Sequence, residues 1–358
     1  MQIIQLLPTI QFGDAVSNDA RAIDAIIREQ GYSTAIYAEN IDAHLPKGTA
    51  QLASNMPRLR DDDILIYHAS TGTRLNYELP NFGGRQVMFY HNITPPQYFH
   101  GYNESAENLT KSGYEGMRFL SDKVNYCIAD SDYNRQDLRR MGFKCPIDVC
   151  PIIIPFEDYD QEPNARLLNQ YRGKKWTNLL FVGRIAANKK QQDVIRAFYC
   201  YQKRYNPKSR LFLVGNIQGM ERYAIQLQRY TQLLGIEDKV VFTGHVKFDE
   251  ILAYYRMADI FVCMSEHEGF CVPLVEAMYF GIPIVARRTS AISGTLGKGG
   301  LLLNDNSPEM AAAAIDRVLK DEALRDFLAE QQEKRLDELK YESVKQQVLA
   351  CIDKMTRL

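Results

Sequence analysis

Two glutamates eight residues apart, Glu268 and Glu276, lie at the predicted start of a short helix. A proline near the first turn and a glycine just past the end predict this helix over residues 273–280. The exposed amides of residues 270–272 and the helix dipole would form a binding site for an anion. The two carboxylates could accept hydrogen bonds from hydroxyl groups of the same ligand. Considered alone, the pair is better explained as acids that favour a helix N-terminus.

Two cations, Arg184 and Lys189, follow the predicted strand at residues 179–182. Cations placed against a departing phosphate stabilise the negative charge that develops in the transition state. Each such contact contributes about 1.5 to 3 kcal/mol, or about one to two decades in rate. Without the neighbouring glutamate motif, the two side chains would be interpreted as surface charges at a strand–helix junction.

Short apolar runs alternate with helix-length segments, which predicts parallel α/β architecture. A chain of 358 residues is long enough for two domains with separate apolar cores. Glycines and polar residues follow the runs, so we expect a ligand site at the carboxyl ends of the strands, in a cleft between two facing domains. The predicted strands are residues 3–7, 34–38, 64–67, 86–90, 126–129, 179–182, 211–214, 240–243, 260–263 and 282–286.

The segment at residues 151–160 is bracketed by prolines and becomes acidic, which predicts the junction between the domains. We therefore expect an N-terminal domain over residues 1–155 and a C-terminal domain over residues 156–335. Apolar residues of the last segment form one helical stripe, so we expect residues 336–358 to contain a helix that packs back on the body of the protein. The stripe consists of Val344, Val348, Leu349, Ile352 and Met355.

The stretch at residues 265–278 resembles the E-x7-E signature of the family 4 retaining glycosyltransferases, with Glu268 and Glu276 as its glutamates. Arg184 and Lys189 resemble the cationic phosphate clamp of the same family. Several motifs in the family's order, spread over the chain, make the resemblance specific.

Two further positions resemble the family, and three depart from it. His91 resembles the active-site histidine, and Ser131 resembles a serine at a later strand end. The first strand–helix turn has the single glycine Gly13 where the family has a richer glycine loop. Cys271 stands where glycine is usual, and residues 155–156 are Pro-Phe where Asn-Gly is usual.

The resemblance implies a GT-B fold, with two Rossmann-like parallel-sheet domains facing a cleft and the last helix crossing back to the first domain. It implies that residues 1–155 form the acceptor-side domain and that residues 156–335 bind the nucleotide-sugar. It implies retention of anomeric configuration, a nucleotide-sugar as co-substrate, and no need for a metal or another cofactor. The implied catalytic residues are His91, Arg184, Lys189 and Glu268. The implied donor-binding residues are Gly13, Gly183, Arg184, Lys189, Gly215, Gly244, His245, Val246, Glu268, Gly269, Phe270, Cys271, Val272 and Glu276, and the acceptor-side residues are Asp14 and Ser131.

Composition excludes several other classes of protein. With 43 basic and 44 acidic side chains, the chain lacks the charge of a nucleic-acid binder. Seven cysteines without a CxxC pair predict reduced thiols rather than a disulfide framework or a zinc ribbon. No signal-peptide pattern or membrane-length apolar run is present, so we expect a cytoplasmic protein, with association at the cytoplasmic face of a membrane left open. The acidic run at residues 61–63 precedes its strand, which indicates a solvated turn rather than a metal site.

Two alternative functions stay open. A sugar-nucleotide epimerase of the same fold would share the cleft but would need acid–base residues that abstract a sugar proton. A catalytically inactive sugar-nucleotide-binding subunit is the other, and the complete set of clamp and glutamate residues disfavours it. For a transferase, we expect a hexose-type sugar and a glycan or lipid-linked acceptor in polysaccharide or glycoconjugate synthesis at the cell surface. GDP-mannose, UDP-hexoses and dTDP-rhamnose stay open as donors, as do the linkage and the oligomeric state.

Overall fold

The computed structural model describes residues 1–171 and 176–358. Its strands are β1 (Gln2–Ile10), β2 (Ser33–Ile41), β3 (Gln51–Leu52), β4 (Ile64–Ala69), β5 (Arg85–Tyr90), β6 (Tyr126–Ala129), β7 (Ile147–Val149), β8 (Thr177–Val182), β9 (Ser209–Val214), β10 (Val240–Gly244), β11 (Ile260–Cys263), β12 (Ile284–Arg287) and β13 (Leu301–Leu303). Its α-helices are α1 (Ala15–Glu29), α2 (Leu75–Glu78), α3 (Glu104–Leu120), α4 (Asp132–Arg140), α5 (Ala165–Tyr171), α6 (Gln191–Arg204), α7 (Glu221–Leu234), α8 (Phe248–Met257), α9 (Val272–Tyr279), α10 (Ile292–Leu296), α11 (Pro308–Lys320), α12 (Glu322–Leu339) and α13 (Tyr341–Thr356).

The chain divides into two compact units. Unit 1 consists of Met1–Pro96, Ser105–Ile154 and Glu338–Leu358. Its seven-stranded sheet has the order β3-β2-β1-β4-β5-β6-β7, and each neighbouring pair is parallel. The order reverses between β1 and β4, and ligands of such open sheets bind outside the carboxyl ends of the strands at this switch point.

Unit 2 consists of Gln97–Glu104 and Pro155–Asp337. Its six-stranded sheet has the order β10-β9-β8-β11-β12-β13 and is also parallel throughout. The switch point here lies between β8 and β11. The segment Gln97–Glu104 comes from the first half of the chain and is held in unit 2 by hydrogen bonds. For example, Asn103 Nδ2 donates to the Gly219 carbonyl at 2.8 Å.

The two parallel sheets confirm the fold class expected from the apolar runs. Each predicted strand is present, and most extend one or two residues further at an end. Three strands were missed, namely β3, β7 and β13, which are only two or three residues long. Runs this short carry too little periodicity to be recognised in a sequence. The acidic run was interpreted wrongly in part, because Asp63 is buried and accepts a hydrogen bond from the Gln2 amide at 2.8 Å.

The last helix, α13, belongs to the core of unit 1. Val344, Val348, Ile352 and Met355 are buried in one cluster with isoleucines of α1. Polar contacts at the end of the helix add to this packing, because Arg85 donates to the Thr356 carbonyl at 2.9 Å. Among the described residues, no helix is long and apolar enough to cross a membrane.

We predict that Ile352→Ala destabilises unit 1 by about 2 to 5 kcal/mol, because it removes a buried side chain from a packed core. The control is Gln346→Ala, which changes an exposed residue of the same helix. Denaturant unfolding, followed by far-UV circular dichroism, gives the unfolding midpoint of each variant. Equal midpoints for the two variants would mean that α13 contributes no packing energy to unit 1.

Candidate active site

The switch point of unit 2 brings Lys189 and Glu268 together. Lys189 ends a 3-10 turn that follows β8, and Glu268 lies in the loop that follows β11. Because β8 and β11 are neighbours, the two loops leave the same edge of the sheet side by side. The Lys189 ammonium lies 2.5 Å from Glu268 Oε2, and the Glu268 side chain is 6% exposed. Burial lowers the pKa of Lys189, but the Glu268 carboxylate outweighs it and holds the pKa above its ordinary value.

Two glycines set the path of the backbone beside Lys189. Gly183 follows β8 and Gly215 follows β9, and the two loops touch. A Cβ atom at Gly215 would lie 2.0 Å from the Gly183 carbonyl oxygen and 3.2 Å from the Arg184 nitrogen. A side chain at this position would therefore displace the backbone that carries Arg184. The Arg184 side chain is exposed, and its carbonyl accepts a hydrogen bond from Gln191 Nε2 at 3.0 Å.

The loop between Glu268 and α9 has a constrained shape. The Glu268 amide donates to Ser290 Oγ at 2.9 Å, and Thr295 Oγ1 donates to the Phe270 carbonyl at 2.5 Å. Cys271 precedes α9 with φ 76° and ψ 65°, a left-handed conformation that glycine adopts most readily. The helix begins at Val272, as predicted within one residue. Gly269 and the amides of residues 270–272 are thereby placed at the helix N-terminus.

The second glutamate, Glu276, is held by two tyrosines. Tyr159 donates to Glu276 Oε1 at 2.9 Å, and Tyr255 donates to Oε2 at 2.5 Å. Burial raises the pKa of Glu276, and the two hydroxyl donors act against this rise because they stabilise the carboxylate. Tyr159 lies in the junction segment and Tyr255 in α8. Both are far from Glu276 in the sequence, so the sequence alone does not predict these contacts. Tyrosines at these positions carry no local signal that would have identified them.

Three of the predicted donor-binding residues, Gly244, His245 and Val246, lie farther along the sheet. Gly244 ends β10 with φ 66°, at a register irregularity of the strand. His245 is exposed and Val246 is partly exposed. Since β10 is the edge strand, β9 and β8 separate it from the loop that carries Glu268.

A salt-bridge cluster next to Glu268 was not predicted. Glu266 accepts from Lys190 at 2.9 Å and from Arg287 at 3.1 Å. Tyr98, from the short first segment of unit 2, donates to the same carboxylate at 3.3 Å. Glu266 is one of the unspecified positions of the glutamate signature, so the motif gave no indication of this role.

In unit 1 the ring of His91 is buried in a polar chain. His91 Nε2 lies 2.8 Å from His68 Nδ1, and His91 Nδ1 lies 3.0 Å from Asp130 Oδ2. His68 Nε2 in turn lies 2.9 Å from Gln5 Oε1. The His91 side chain is 1% exposed. Burial lowers the pKa of His91, but Asp130 outweighs this effect and the pKa is raised. A contact between this ring and a substrate stays a prediction, and in the structure both ring nitrogens already have partners.

A buried carboxylate, Asp19, adjoins this chain and was missed by the sequence analysis. Asp19 Oδ1 accepts from the Ile153 amide at 2.8 Å. The other oxygen, Oδ2, is buried without a hydrogen-bond partner in the described part of the chain. Burial raises the pKa of Asp19 to about 7, partly offset by His91 and reinforced by Asp130.

The remaining predicted residues of unit 1 begin helices. Asp14 is the N-cap of α1 and accepts from the Ser17 amide at 3.0 Å. Ser131 is the N-cap of α4 and accepts from the Asn134 amide at 3.2 Å. Gly13 precedes α1 with φ 73° and is exposed. Their roles toward donor and acceptor stay predictions.

Comparison with known proteins finds similarity to glycosyltransferases. Residues 170–335 match the family described as Glycosyl transferases group 1. The chain is 26% identical to O-antigen chain mannosyltransferase B of Escherichia coli over 75% of this chain and 69% of that protein. It is 33% identical to D-inositol 3-phosphate glycosyltransferase of Corynebacterium jeikeium over 59% of this chain and 53% of that protein. The alignments with three further curated relatives span between 28% and 40% of those proteins.

Solved structures share the fold over nearly the whole chain. HepE of Anabaena in complex with UDP-glucose has a TM-score of 0.77 at 16% identity, covering 99% of this chain and 100% of that one. Sucrose-phosphate synthase of Thermosynechococcus elongatus has a TM-score of 0.75 at 17% identity, covering 99% of both chains. These likenesses confirm the GT-B fold. The family match and the curated relatives support the expected class of enzyme, a glycosyltransferase.

We predict that the stability of unit 1 falls as pH rises from about 4 to about 7, because folding raises the pKa of Asp19 from 3.8 to about 7. A raised pKa means that the folded state binds the proton more tightly, so this stabilisation is present at low pH and is lost as pH rises through the folded value. The shift corresponds to at most about 4 kcal/mol. Asp19→Asn cannot lose a proton there and should be more stable relative to the wild type at pH 8 than at pH 5.

Urea unfolding of both proteins at the two pH values measures this difference. Asp61→Asn, at an exposed position of the same unit, is the control and should show no such pH dependence. If the free energy of unfolding of Asp19→Asn differs from that of the wild type by the same amount at both pH values, Asp19 is ionised in the folded protein at both.

Proposed function

We propose that the protein is a family 4 retaining glycosyltransferase that moves a hexose-type sugar from a nucleotide-diphosphate sugar to a glycan or lipid-linked acceptor. The observation that carries the proposal is the buried contact between Lys189 and Glu268 beside the N-terminus of α9. Relatives named as mannosyltransferases and a structural neighbour bound to UDP-glucose support a hexose donor. A relative concerned with O-antigen chains supports a role in cell-surface polysaccharide or glycoconjugate synthesis.

The diphosphate of the donor is the ligand that this arrangement fits best. The amides of residues 270–272 are at the N-terminus of α9, where a helix favours negative charge. Lys189 and Arg184 supply positive charge on the neighbouring loop. As the bond between sugar and phosphate breaks, negative charge grows on the departing diphosphate, and these groups stabilise it more than they stabilise the bound donor. Stabilisation by protein cations is our reason for proposing a reaction that needs no metal.

The two glutamates have different tasks in this proposal. Glu268 accepts a hydrogen bond from a sugar hydroxyl while its other interaction orients Lys189. Glu276 accepts from the ribose, with its carboxylate held in one orientation by Tyr159 and Tyr255. The proposal assigns no protein nucleophile to the anomeric carbon. We propose that the acceptor attacks from the side of the departing phosphate, so that the anomeric configuration is retained. The departing phosphate takes the acceptor proton.

The direct test is a donor panel. GDP-mannose, UDP-glucose, UDP-galactose and dTDP-rhamnose are compared by thermal shift, since a ligand at about a hundred times its Kd adds about 2.7 kcal/mol of stability. The stabilising donor is then incubated with candidate acceptors, and free nucleoside diphosphate and the product anomer are measured. Release that depends on an acceptor supports transfer. Interconversion of the donor sugar without release would instead identify an epimerase, and binding without either reaction would identify an inactive subunit.

We predict that Lys189→Ala lowers kcat by about one to two decades, because it removes a charge-assisted contact with the leaving group. Arg184→Ala should act in the same direction, and the acceptor KM should change little in both. Lys298→Ala, at an exposed lysine of the same unit, is the control. Steady-state kinetics in the presence of EDTA measures all three variants. A wild-type kcat in Lys189→Ala would mean that Lys189 does not contact the leaving group. Activity of the wild-type protein only after Mg²⁺ or Mn²⁺ is added would contradict the proposed independence of metals.

We predict that Tyr255→Phe weakens nucleoside diphosphate binding, and more so at pH 6 than at pH 8. The hydroxyl stabilises the Glu276 carboxylate, whose pKa burial already raises, so its loss makes protonation of Glu276 easier. Tyr254→Phe is the control, because that neighbouring ring packs on Phe212 at 5.3 Å. Calorimetric titration at both pH values gives the affinities. An equal loss of affinity at pH 6 and pH 8 would mean that Glu276 does not change its protonation between them. Unchanged affinity at both pH values would mean that Glu276 does not bind the nucleotide.

A further inference from the structure

Two thiols lie directly beside the proposed donor site. Cys263 is the last residue of β11, and Cys271 precedes α9. Their sulfur atoms and a carboxylate oxygen of Glu268 lie within 4.8 Å of one another, and all three residues are buried. Cys271 is the more accessible thiol, at 8% exposed against 1% for Cys263. The residue that replaces the family's usual glycine thus has a second thiol within reach.

We propose that Cys263 and Cys271 form a dithiol site that a peroxide oxidises to an intramolecular disulfide, which reversibly disables donor binding. The bond itself depends only on the geometry of the two thiols. Its consequence for donor binding rests on the proposed function.

The reaction balances in two steps. The more accessible thiol, Cys271, reacts with hydrogen peroxide to give a sulfenic acid and one water. The sulfur of Cys263 then attacks that of Cys271, the S–O bond breaks, and the hydroxyl leaves with the thiol proton as a second water. The two thiols lose two electrons and two protons in total, and the peroxide is reduced. An external dithiol reverses the reaction by thiol–disulfide exchange.

The surroundings favour this chemistry over metal binding. The hydrogen bond with Cys271 lowers the pKa of Cys263, which favours the thiolate that attacks in the second step. The same contact and burial raise the pKa of Cys271, and the nearby Lys189 ammonium acts against that rise. A metal ion at the same place would need the Glu268 carboxylate, whose oxygen already binds the Lys189 ammonium. The ammonium would repel the ion, whereas a disulfide is neutral and leaves the contact between Lys189 and Glu268 in place.

Closing the disulfide must move the start of α9. A disulfide has an S–S distance of about 2.05 Å and a restricted dihedral angle. Cys263 is fixed in the buried sheet, so Cys271 is the residue that shifts. Its backbone joins Phe270 to Val272, whose amides we propose to bind the diphosphate. A shift of about 1 Å in such a site can cost about a hundredfold in activity.

Other thiol pairs must be separated from this one in any experiment. Cys127 and Cys145 have sulfur atoms 3.5 Å apart, and Cys150 forms a thiol contact with Cys351. Both pairs lie in unit 1. The double variant Cys145→Ala/Cys351→Ala removes one thiol from each pair and leaves Cys263 and Cys271 unchanged.

The experiment treats the double variant with hydrogen peroxide, blocks remaining thiols with iodoacetamide and digests the protein with trypsin. Cleavage after arginine places Cys263 and Cys271 in one peptide, residues 257–287, which contains no other cysteine. We expect this peptide to lose both alkylation sites and to become about 2 Da lighter through loss of two hydrogens. Dithiothreitol before alkylation should restore both sites, which separates the disulfide from methionine oxidation.

The second measurement is nucleoside diphosphate binding by calorimetry before and after oxidation. We expect the Kd to rise at least about tenfold and to recover with dithiothreitol. Adding Cys263→Ser to the double variant should keep the reduced-state affinity and abolish both the light peptide and the reversible change. Absence of the light peptide, an oxidised protein with unchanged Kd, or the same reversible loss in the Cys263→Ser protein would overturn the proposal. So would stoichiometric zinc released by thiol alkylation, which would assign the cluster to a metal.

The two proposals can fail separately. If the reduced protein binds no nucleoside diphosphate of the donor panel, the proposed function fails. The mass of peptide 257–287 still shows whether the dithiol site exists, because it is measured without a ligand.

Discussion

The adjacency of β8 and β11 in a parallel sheet is the constraint on which the candidate site depends. The strand order reverses between β8 and β11, so the loops that follow these two parallel strands leave the carboxyl edge of the sheet side by side. This geometry places the ammonium of Lys189 against the carboxylate of Glu268 at 2.5 Å. Removing one partner of a buried ion pair is costly, because the other charge is left without compensation. The contact therefore serves folding and, in the proposed reaction, charge stabilisation by the same atoms.

Backbone shape transmits this constraint to the rest of unit 2. Gly215 is required because a Cβ atom would lie 2.0 Å from the Gly183 carbonyl oxygen, and that carbonyl begins the loop to Lys189. On the other side of the site, Cys271 adopts a left-handed conformation that costs a residue with a side chain more than it costs glycine. Two hydrogen bonds hold the loop in this shape: Thr295 Oγ1 donates to the Phe270 carbonyl, and the Glu268 amide donates to Ser290 Oγ. The anion site that we propose is therefore held in shape by groups to which we assign no contact with the ligand.

The sequence allowed the strands and the helix α9 to be predicted because their signals are local, in apolar runs and in a proline and a glycine at fixed positions. The pairing of Lys189 with Glu268 could be anticipated only as proximity at one edge of a sheet. Contacts such as Tyr159 with Glu276 could not, since 117 residues separate the partners. Burial of Asp19 was equally invisible, because its surroundings come from α1 and from the distant Ile153. A polar residue in a helix gives no sign that its face is covered.

The buried chain of Gln5, His68, His91 and Asp130 changes how a functional histidine can act. For the ring of His91 to contact a ligand, it must give up its contact with His68 or with Asp130. Each buried polar group left unsatisfied costs about 1 to 3 kcal/mol, and more when it is charged. A ligand would have to repay that cost in every binding event. The His91 amide is also already paired, since it donates to the Ala69 carbonyl at 2.9 Å, and the following residue, Asn92, is held at φ 75°. In this structure the ring of His91 therefore fixes the position of the strand end through His68 and Asp130, and a contact between His91 and a donor sugar stays a prediction.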